Sequence, residues 1–230
     1  MDRLEKRRTV VLAGASGGIG AALARHLHAK GDRVIAACRT PPPCGDWVAA
    51  DLLAPAGLEA VAEKVAEIAV DALVVAAGTW ETGAFTDAYG FERGPEADID
   101  RVVALNAAMP IKLVRRLLPA LRRASVPRVV LVGALSGRDH CATREVANSA
   151  SKYALRGAAQ ALRLETPDIA VTVLNPGNVA TAEVEADIRD GRFSAQKPIP
   201  MADLTASLDY ALGLSAASVA LEIDLAQTAP

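Results

Sequence analysis

A repeat of polar side chains around the segment EVANSASKYALRG, residues 145–157, is the clearest candidate for chemistry in this sequence. Arg144, Asn148, Lys152 and Arg156 follow one another at intervals of four residues. Residues four apart lie on the same face of a helix, so this spacing predicts one polar helix face. On that face Lys152 carries an amine that can titrate, whereas the Asn148 amide can orient a ligand or a water but does not titrate near neutral pH.

A glycine-rich segment near the start, VVLAGASGGIG, predicts a site for a pyrophosphate. Gly14, Gly18 and Gly20 stand between a short apolar run and a helical pattern. Glycines at such a junction permit a tight turn and a close approach of the backbone, while the free N–H groups of the helix attract negative charge. The strand before the motif and the helix after it favour a phosphate site over a glycine-rich turn without a ligand.

Alternating strands and helices must position these residues. Continuous apolar runs indicate strands buried on both faces, as in a parallel sheet. The predicted strands cover residues 9–14, 33–38, 47–51, 71–78, 128–133, 171–175 and 219–225. Helical patterns lie near residues 18–30, 58–68, 98–123, 145–165 and 201–213. This alternation predicts an α/β fold, namely a single-domain Rossmann fold over residues 1–230 with a doubly wound parallel sheet of about seven strands.

Two segments depart from the regular alternation. TPPPCGDW, residues 40–47, contains three consecutive prolines, which cannot form a helix interior, so the second crossover is predicted to be short. Residues 181–200 are polar and end in prolines, and they are a candidate substrate lid.

The spacing Gly-x-x-x-Gly-x-Gly resembles that of the short-chain dehydrogenase/reductase family, and the likeness extends from about residue 8 to residue 225. AADL (49–52) resembles the acidic turn that binds adenine, and VAAG (75–78) stands where the family usually has Asn-Asn-Ala-Gly. LNAAMP (105–110) carries the helix asparagine, and NPGNVAT (175–181) resembles the segment that holds the nicotinamide carboxamide. The resemblance implies a dinucleotide site formed by Gly14, Ser16, Gly18, Ile19, Gly20, Arg39, Asp51, Leu52, Ala77, Gly78, Asn106, Lys152, Pro176, Val179 and Thr181.

The end of the second predicted strand favours NADP over NAD. An acidic side chain there would bind the ribose 2′-hydroxyl and repel a 2′-phosphate. The sequence has AACRT instead, with Arg39 and no acid. A guanidinium is planar and permanently charged, which suits a phosphate, although a solvent-facing arginine after a strand is also common.

The catalytic positions resemble the family's only in part. The family uses Asn, Ser, Tyr and Lys, and by this resemblance Asn106 and Lys152 match two of the four. The serine position falls on Ala134, and Ser136 is assigned to the turn that follows. The tyrosine position is Asn148. The resemblance therefore implies a divergent family member that lacks the usual proton donor and the hydroxyl that polarises the substrate oxygen.

Neighbouring side chains offer few substitutes for the tyrosine. Tyr153, Ser149 and Ser151 lie off the Lys152 face of the helix, because each residue is rotated by about 100° from the previous one. The loop before the helix contains His140 and Cys141 and is about one residue longer than is usual in the family. Either residue could supply a proton if it reached the pocket, whereas an exposed loop position is the simpler interpretation.

Three functions remain open at this stage. The first is an NADP-dependent oxidoreductase with an altered proton relay, which acts on a small carbonyl or alcohol. The second is non-redox chemistry, such as cyclisation, isomerisation or dehydration, with NADP retained in the pocket. The third is a catalytically silent NADP-binding protein. Lys152, Asn106 and NPGNVAT are compatible with all three, since function depends on the site and not on the fold.

Composition limits the partners. The 230 residues are 51% hydrophobic with a net charge of −2, which does not favour nucleic acid or a membrane as a partner. The first apolar run is too short for a signal-peptide core or a membrane span. Three scattered cysteines show no metal-ligand spacing and indicate a reducing cytoplasm. The resemblance implies a homodimer or homotetramer, in which the helices at 98–123 and 145–165 form the interface.

Overall fold

Residues 7–191 and 197–228 are described by the computed structural model, and they form one parallel sheet covered by helices on both faces. The strands are β1 (Thr9–Ala13), β2 (Arg33–Cys38), β3 (Asp46–Ala49), β4 (Ala72–Val75), β5 (Arg128–Val132), β6 (Ala170–Pro176) and β7 (Glu222–Leu225). They lie in the order β3-β2-β1-β4-β5-β6-β7, and every pairing is parallel. The predicted Rossmann fold is therefore confirmed.

The helices are α1 (Gly18–Ala29), α2 (Pro55–Lys64), α3 (Glu96–Val103), α4 (Met109–Leu121), α5 (Val146–Glu165), α6 (Ala182–Arg189) and α7 (Met201–Gly213). The single helix predicted at 98–123 is present as a continuous helical segment, in which a π turn at Ala104–Ala108 joins α3 to α4. Helix α6 was not predicted, because its segment is polar and none of its residues is buried. It begins where the Thr181 hydroxyl accepts a hydrogen bond from the Val184 backbone N–H at 3.3 Å.

The core consists of two layers, one on each face of the sheet. Val11 and Ala13 of β1 pack on the face that α2, α4 and α5 cover. Val10 and Leu12 pack on the opposite face, with α1 and α7. Alternate residues of a strand point to opposite faces, so burial on both sides explains why the runs are apolar throughout.

The short second crossover is also confirmed. The chain passes from β2 to β3 through residues 39–45 without a helix.

Within the described part of the chain, no helix is long and apolar enough to cross a bilayer.

The chain order fixes where a ligand can bind. From β1 the strands continue outward to β2 and β3, and the chain then returns to β4 on the other side of β1. In doubly wound sheets the crevice at this switch point, beyond the carboxyl ends of the strands, is the binding site. Ala13 of β1 pairs with Val75 of β4, so the loops that start at Gly14 and Ala76 border this crevice.

Candidate active site

The glycine loop between β1 and α1 is packed closely on one side and open on the other. A Cβ atom on Gly14 would lie 2.5 Å from the Ala77 backbone nitrogen, and one on Gly20 would lie 1.8 Å from the Gly14 carbonyl oxygen. Gly17 and Gly18, by contrast, have no atom within 4 Å of such a Cβ. The loop therefore packs against the segment that follows β4 and against α1, and it leaves its outer side free, which is the shape that a pyrophosphate at a helix N-terminus requires.

The remaining residues of the predicted loop set agree with this shape. Ser16 is exposed beside the open side, Ile19 is half-buried, and α1 begins at Gly18. Gly14 and Gly18 have φ angles of 89° and 47°, in the left-handed region that favours glycine. The backbone conformation thus depends on glycine at both positions.

The predicted adenosine end lies beyond β2 and β3. Arg39 is exposed directly after β2. Asp51 is exposed and its Oδ1 accepts a hydrogen bond from the Leu53 backbone N–H at 3.0 Å, while Leu52 is buried. Arg39 thus lies on the surface at the carboxyl end of β2.

Asn106 lies in the π turn and is held rigidly. Its Oδ1 accepts from the Thr79 backbone N–H at 2.9 Å, and its Nδ2 donates to the Thr79 carbonyl oxygen at 2.8 Å. Nδ2 also approaches the Ser151 hydroxyl at 3.2 Å, and that hydroxyl donates to the Asn148 carbonyl oxygen at 2.7 Å. As predicted, Ser151 does not face the cleft. Its hydroxyl instead links the Asn106 side chain to the backbone of α5. π turns within helices are frequent at functional sites.

Lys152 and Asn106 flank the exposed Gly78. A Cβ on Gly78 would lie 3.6 Å from the Asn106 Oδ1 and 3.9 Å from the Lys152 Nζ. The Lys152 Nζ donates to the Val132 carbonyl oxygen at 3.3 Å. Desolvation by burial lowers the pKa of Lys152 to about 8. These two side chains and the open Gly78 surface are therefore brought together, as the sequence predicts.

Asn148 lies on the same helix face, one turn before Lys152, and is 2% exposed. Its Nδ2 is 3.5 Å from the Ser136 Oγ, and its Oδ1 is buried without a hydrogen-bond partner among the residues that the structure describes. Ser136 belongs to the turn Leu135–Gly137, as expected, but its side chain is buried against Asn148. Ala134, two residues earlier, is half-buried and carries no polar group.

The other members of the polar helix face have different roles. Arg144 precedes α5 and is exposed, so it does not belong to the helix face that the spacing predicted. Arg156 donates to the Gly137 carbonyl oxygen at 2.8 Å and pairs with Glu222 at 3.0 Å. Tyr153 points away from Lys152, as predicted, and its hydroxyl donates to the Arg138 carbonyl oxygen. His140 and Cys141 are exposed.

The segment after β6 is tied to the residue that precedes α7. Pro176 and Val179 are buried, Val179 pairs with Ile199, and the Ala180 N–H donates to the Ile199 carbonyl oxygen at 2.8 Å. The segment between these points contains α6, and its residues 192–196 lie outside the described part of the chain. A lid at 181–200 stays a prediction.

Sequence reasoning missed the residues that hold the start of α5. The Glu81 Oε1 accepts from the Ala147 and Asn148 backbone N–H groups at 2.8 and 3.2 Å. The Tyr89 hydroxyl accepts from the Val146 N–H at 3.2 Å. These contacts span more than fifty residues, so no local capping pattern could have revealed them.

The fold and the site define a doubly wound α/β protein with a lysine–asparagine pair beside the crevice at the carboxyl ends of the strands. A family model described as short chain dehydrogenase matches residues 8–192. The chain belongs to this short-chain dehydrogenase family.

Individual relatives agree with this assignment. The chain is 31% identical over 201 residues to bovine (Bos taurus) dehydrogenase/reductase SDR family member 7B, covering 76% of this chain and 59% of the relative. It is 30% identical to the rhamnolipids biosynthesis 3-oxoacyl-acyl-carrier-protein reductase of Pseudomonas aeruginosa, covering 74% of this chain and 72% of the relative. The structure of an actinorhodin polyketide ketoreductase variant with NADPH superposes with a TM-score of 0.82 at 20% identity, over 96% of both chains. The chain thus spans less than two thirds of the bovine relative.

Proposed function

We propose that this protein binds NADP(H) and acts as an oxidoreductase on a small carbonyl or alcohol, with a proton relay that does not use a tyrosine. The observation that carries the proposal is the arrangement at Gly78, where Asn106 and Lys152 flank an open surface while Asn148 and Ala134 lack hydroxyl groups. The family's residues at the cofactor, Asn106 and Lys152, are thus present, whereas its serine and tyrosine are replaced by Ala134 and Asn148. When bound, the cofactor would supply or accept a hydride.

Two observations support NADP as the cofactor. Arg39 is exposed at the end of β2, where a guanidinium can bind a 2′-phosphate through two parallel hydrogen bonds. The related ketoreductase structure contains NADPH. The cradle at Gly17 and Gly18 would hold the pyrophosphate, and Val179 and Thr181 would contact the nicotinamide end.

The altered positions predict slow reduction of ordinary ketones. General acid catalysis typically contributes about 10²–10⁴-fold to a rate. Proximity and orientation at the cofactor contribute separately, so the reaction is impaired without being abolished. Low activity of the wild-type protein on simple ketones is therefore expected.

The test is to incubate the protein with NADPH and a panel of carbonyl compounds and to follow the nicotinamide absorbance. We expect Asn148→Tyr combined with Ala134→Ser to raise the rate by roughly 10²-fold or more, because Lys152 lies one turn away and lowers the pKa of a phenol there. Tyr153→Phe is the matched control, since this tyrosine faces away from Lys152, and it should leave the rate unchanged. Thermal unfolding shows whether the larger side chain at position 148 is accommodated.

Robust wild-type turnover that is unaffected by changes at Asn148 and Lys152 would place the chemistry elsewhere. Binding of NADPH without turnover, in both the wild type and the double variant, would favour the alternatives: non-redox chemistry or a catalytically silent NADP-binding protein. The absence of titratable side chains at positions 134 and 148 is the observation that keeps these alternatives open.

A further inference from the structure

Ser136 and Asn148 form a buried polar pair with hydrogen-bonding groups that are not satisfied within the described residues. They are 8% and 2% exposed. The Asn148 Nδ2 and the Ser136 Oγ are 3.5 Å apart, which is the long limit of a hydrogen bond. The Asn148 Oδ1 has no partner, and the Ser136 hydroxyl has no acceptor for its proton among residues 7–191 and 197–228. Within the described residues, the pair therefore has one unpaired acceptor, the Asn148 Oδ1, and one unpaired donor, the Ser136 hydroxyl.

This arrangement is unfavourable unless something else completes it. A buried polar group without a partner costs about 1–3 kcal/mol, and most buried groups in folded proteins are bonded. Rotating the Asn148 amide by 180° would pair its oxygen with the Ser136 hydroxyl but would leave the amide nitrogen unpaired. Either orientation thus leaves at least one buried atom available to a ligand.

The pair is held in a fixed position relative to Lys152. A Cβ on Gly137 would lie 2.8 Å from the Lys152 carbonyl oxygen, so the turn that carries Ser136 packs directly on α5. Arg156 donates to the Gly137 carbonyl oxygen at 2.8 Å, and Arg138 pairs with Glu222 of β7 at 2.8 Å. Because these contacts hold the turn from both sides, Ser136 cannot move away from Asn148 without breaking several of them.

We infer, on the basis of the proposed function, that Ser136 and Asn148 together bind one oxygen atom that carries a proton. That oxygen belongs either to the hydroxyl of the alcohol substrate or to a water beside Lys152. The Ser136 hydroxyl donates to the oxygen, and the Asn148 Oδ1 accepts from its O–H. Asn148 lies one helical turn before Lys152 on α5, so the bound oxygen lies at the reacting end of the site.

A stability measurement tests the inference without any substrate. In the double variant Ser136→Ala with Asn148→Leu, both unsatisfied groups are replaced by apolar ones, and such replacements are often neutral or stabilising. We therefore expect a melting temperature equal to or above that of the wild type. A melting temperature several degrees lower would show that the pair serves the fold and would overturn the inference.

Ser149→Ala is the matched control for this measurement. Ser149 is also buried on α5, but its hydroxyl accepts from the Thr143 N–H at 3.1 Å and donates to the Thr143 carbonyl oxygen at 3.3 Å. Its removal should lower the melting temperature and leave turnover unchanged.

Kinetics and crystallography separate the two sources of the oxygen. Ser136→Ala should lower kcat/KM roughly 10²-fold, as expected for the loss of one donor to a reacting oxygen, with the Kd of NADPH changed less than about twofold. Crystals with NADP⁺ are compared in the absence and in the presence of the alcohol. An ordered oxygen between Ser136 and Asn148 that stays when the alcohol binds is a water. An oxygen that the alcohol replaces marks the position of the substrate hydroxyl. If no oxygen lies there in either crystal, or if Ser136→Ala leaves an active enzyme unchanged, the inference fails. If the wild type shows no turnover, the proposed function fails, while the stability and crystal measurements still decide the inference.

Discussion

At the scale of single residues, Lys152 is the group whose environment most constrains the chemistry. Burial lowers its pKa to about 8 from an ordinary value of 10.5. The ammonium therefore predominates below about pH 8 and is lost as the pH rises above it. An ammonium that contacts the cofactor would be stabilised by binding, so cofactor affinity and the protonation of Lys152 are linked.

We expect the affinity for NADPH to be constant below about pH 8 and to fall as the pH rises further. Lys152→Met, which keeps the length of the side chain without the charge, should weaken binding and remove this dependence. Calorimetry in two buffers of different ionisation enthalpy should detect proton uptake on binding near pH 8 and above. An affinity that increases through this range would contradict the assignment of Lys152 to the cofactor site.

Arg39 provides a second prediction at the residue scale. Arg39→Ala should weaken NADP binding on the order of tenfold, which corresponds to about 1.4 kcal/mol, and leave NAD binding nearly unchanged. Arg33→Ala is the control, because Arg33 lies at the other end of β2 and pairs with Asp46 at 2.9 Å. Equal affinity of the wild type for NAD and NADP in a calorimetric titration would refute the preference.

At the scale of elements, the turn between β1 and α1 divides its glycines into two kinds. Gly14 and Gly20 are needed because backbone atoms occupy the space beside them, whereas Gly17 borders open space. Tightly packed glycines and a glycine beside open space therefore lie within a few residues of each other, so substitutions can test packing and the predicted binding separately.

Gly20→Ala should lower the melting temperature by several degrees, because its Cβ would lie 1.8 Å from the Gly14 carbonyl oxygen and the backbone must shift. Gly17→Ala is the matched variant: it adds the same methyl group in open space and should preserve the melting temperature while weakening NADPH binding. Thermal unfolding with and without NADPH measures both effects. Unchanged NADPH affinity in Gly17→Ala would show that the phosphates do not approach this side of the loop.

At the scale of the whole molecule, α5 joins the site to an exposed surface. One face carries Asn148 and Lys152, and the opposite face presents Ala154, Gly157 and Ala161 to solvent. Leu164, near the end of the helix, is 84% exposed. The small residues of α5 therefore do not all pack inside the protomer, and their exposed face permits a close approach of another helix.

We predict self-association through this face of α5, as a homodimer or homotetramer. Light scattering at micromolar concentration should give a mass above 23.9 kDa. Gly157→Glu should shift the protein towards monomer without lowering the stability of the protomer, because no atom lies within 4 Å of a Cβ at this position. Ala206→Glu, on the exposed side of α7, is the control and should have no effect. A monomeric wild-type mass would contradict the prediction.

The sequence by itself determined the strands, the sheet type and the glycine turn that follows β1. Apolar runs such as those of β1 and β2 are continuous because both faces of the sheet are covered, and the glycine spacing reports a local backbone requirement. Asn106 and Lys152 were identified because the segments around them resemble those of the short-chain dehydrogenase family. These features depend on neighbours in the chain, so they can be predicted from it.

Only the tertiary structure decided how the altered half of the site is built. Ser136 was assigned to a turn, and the turn is present, but its burial against Asn148 depends on the packing of Gly137 on α5. The hydrogen bonds from the start of α5 to Glu81 join segments sixty-six residues apart. The π turn at Asn106 likewise lies within the helix that the pattern predicted, at the point where Asn106 bonds to Thr79. Such contacts are set by how distant segments pack, and packing between segments distant in the chain leaves no periodic signal in a single sequence.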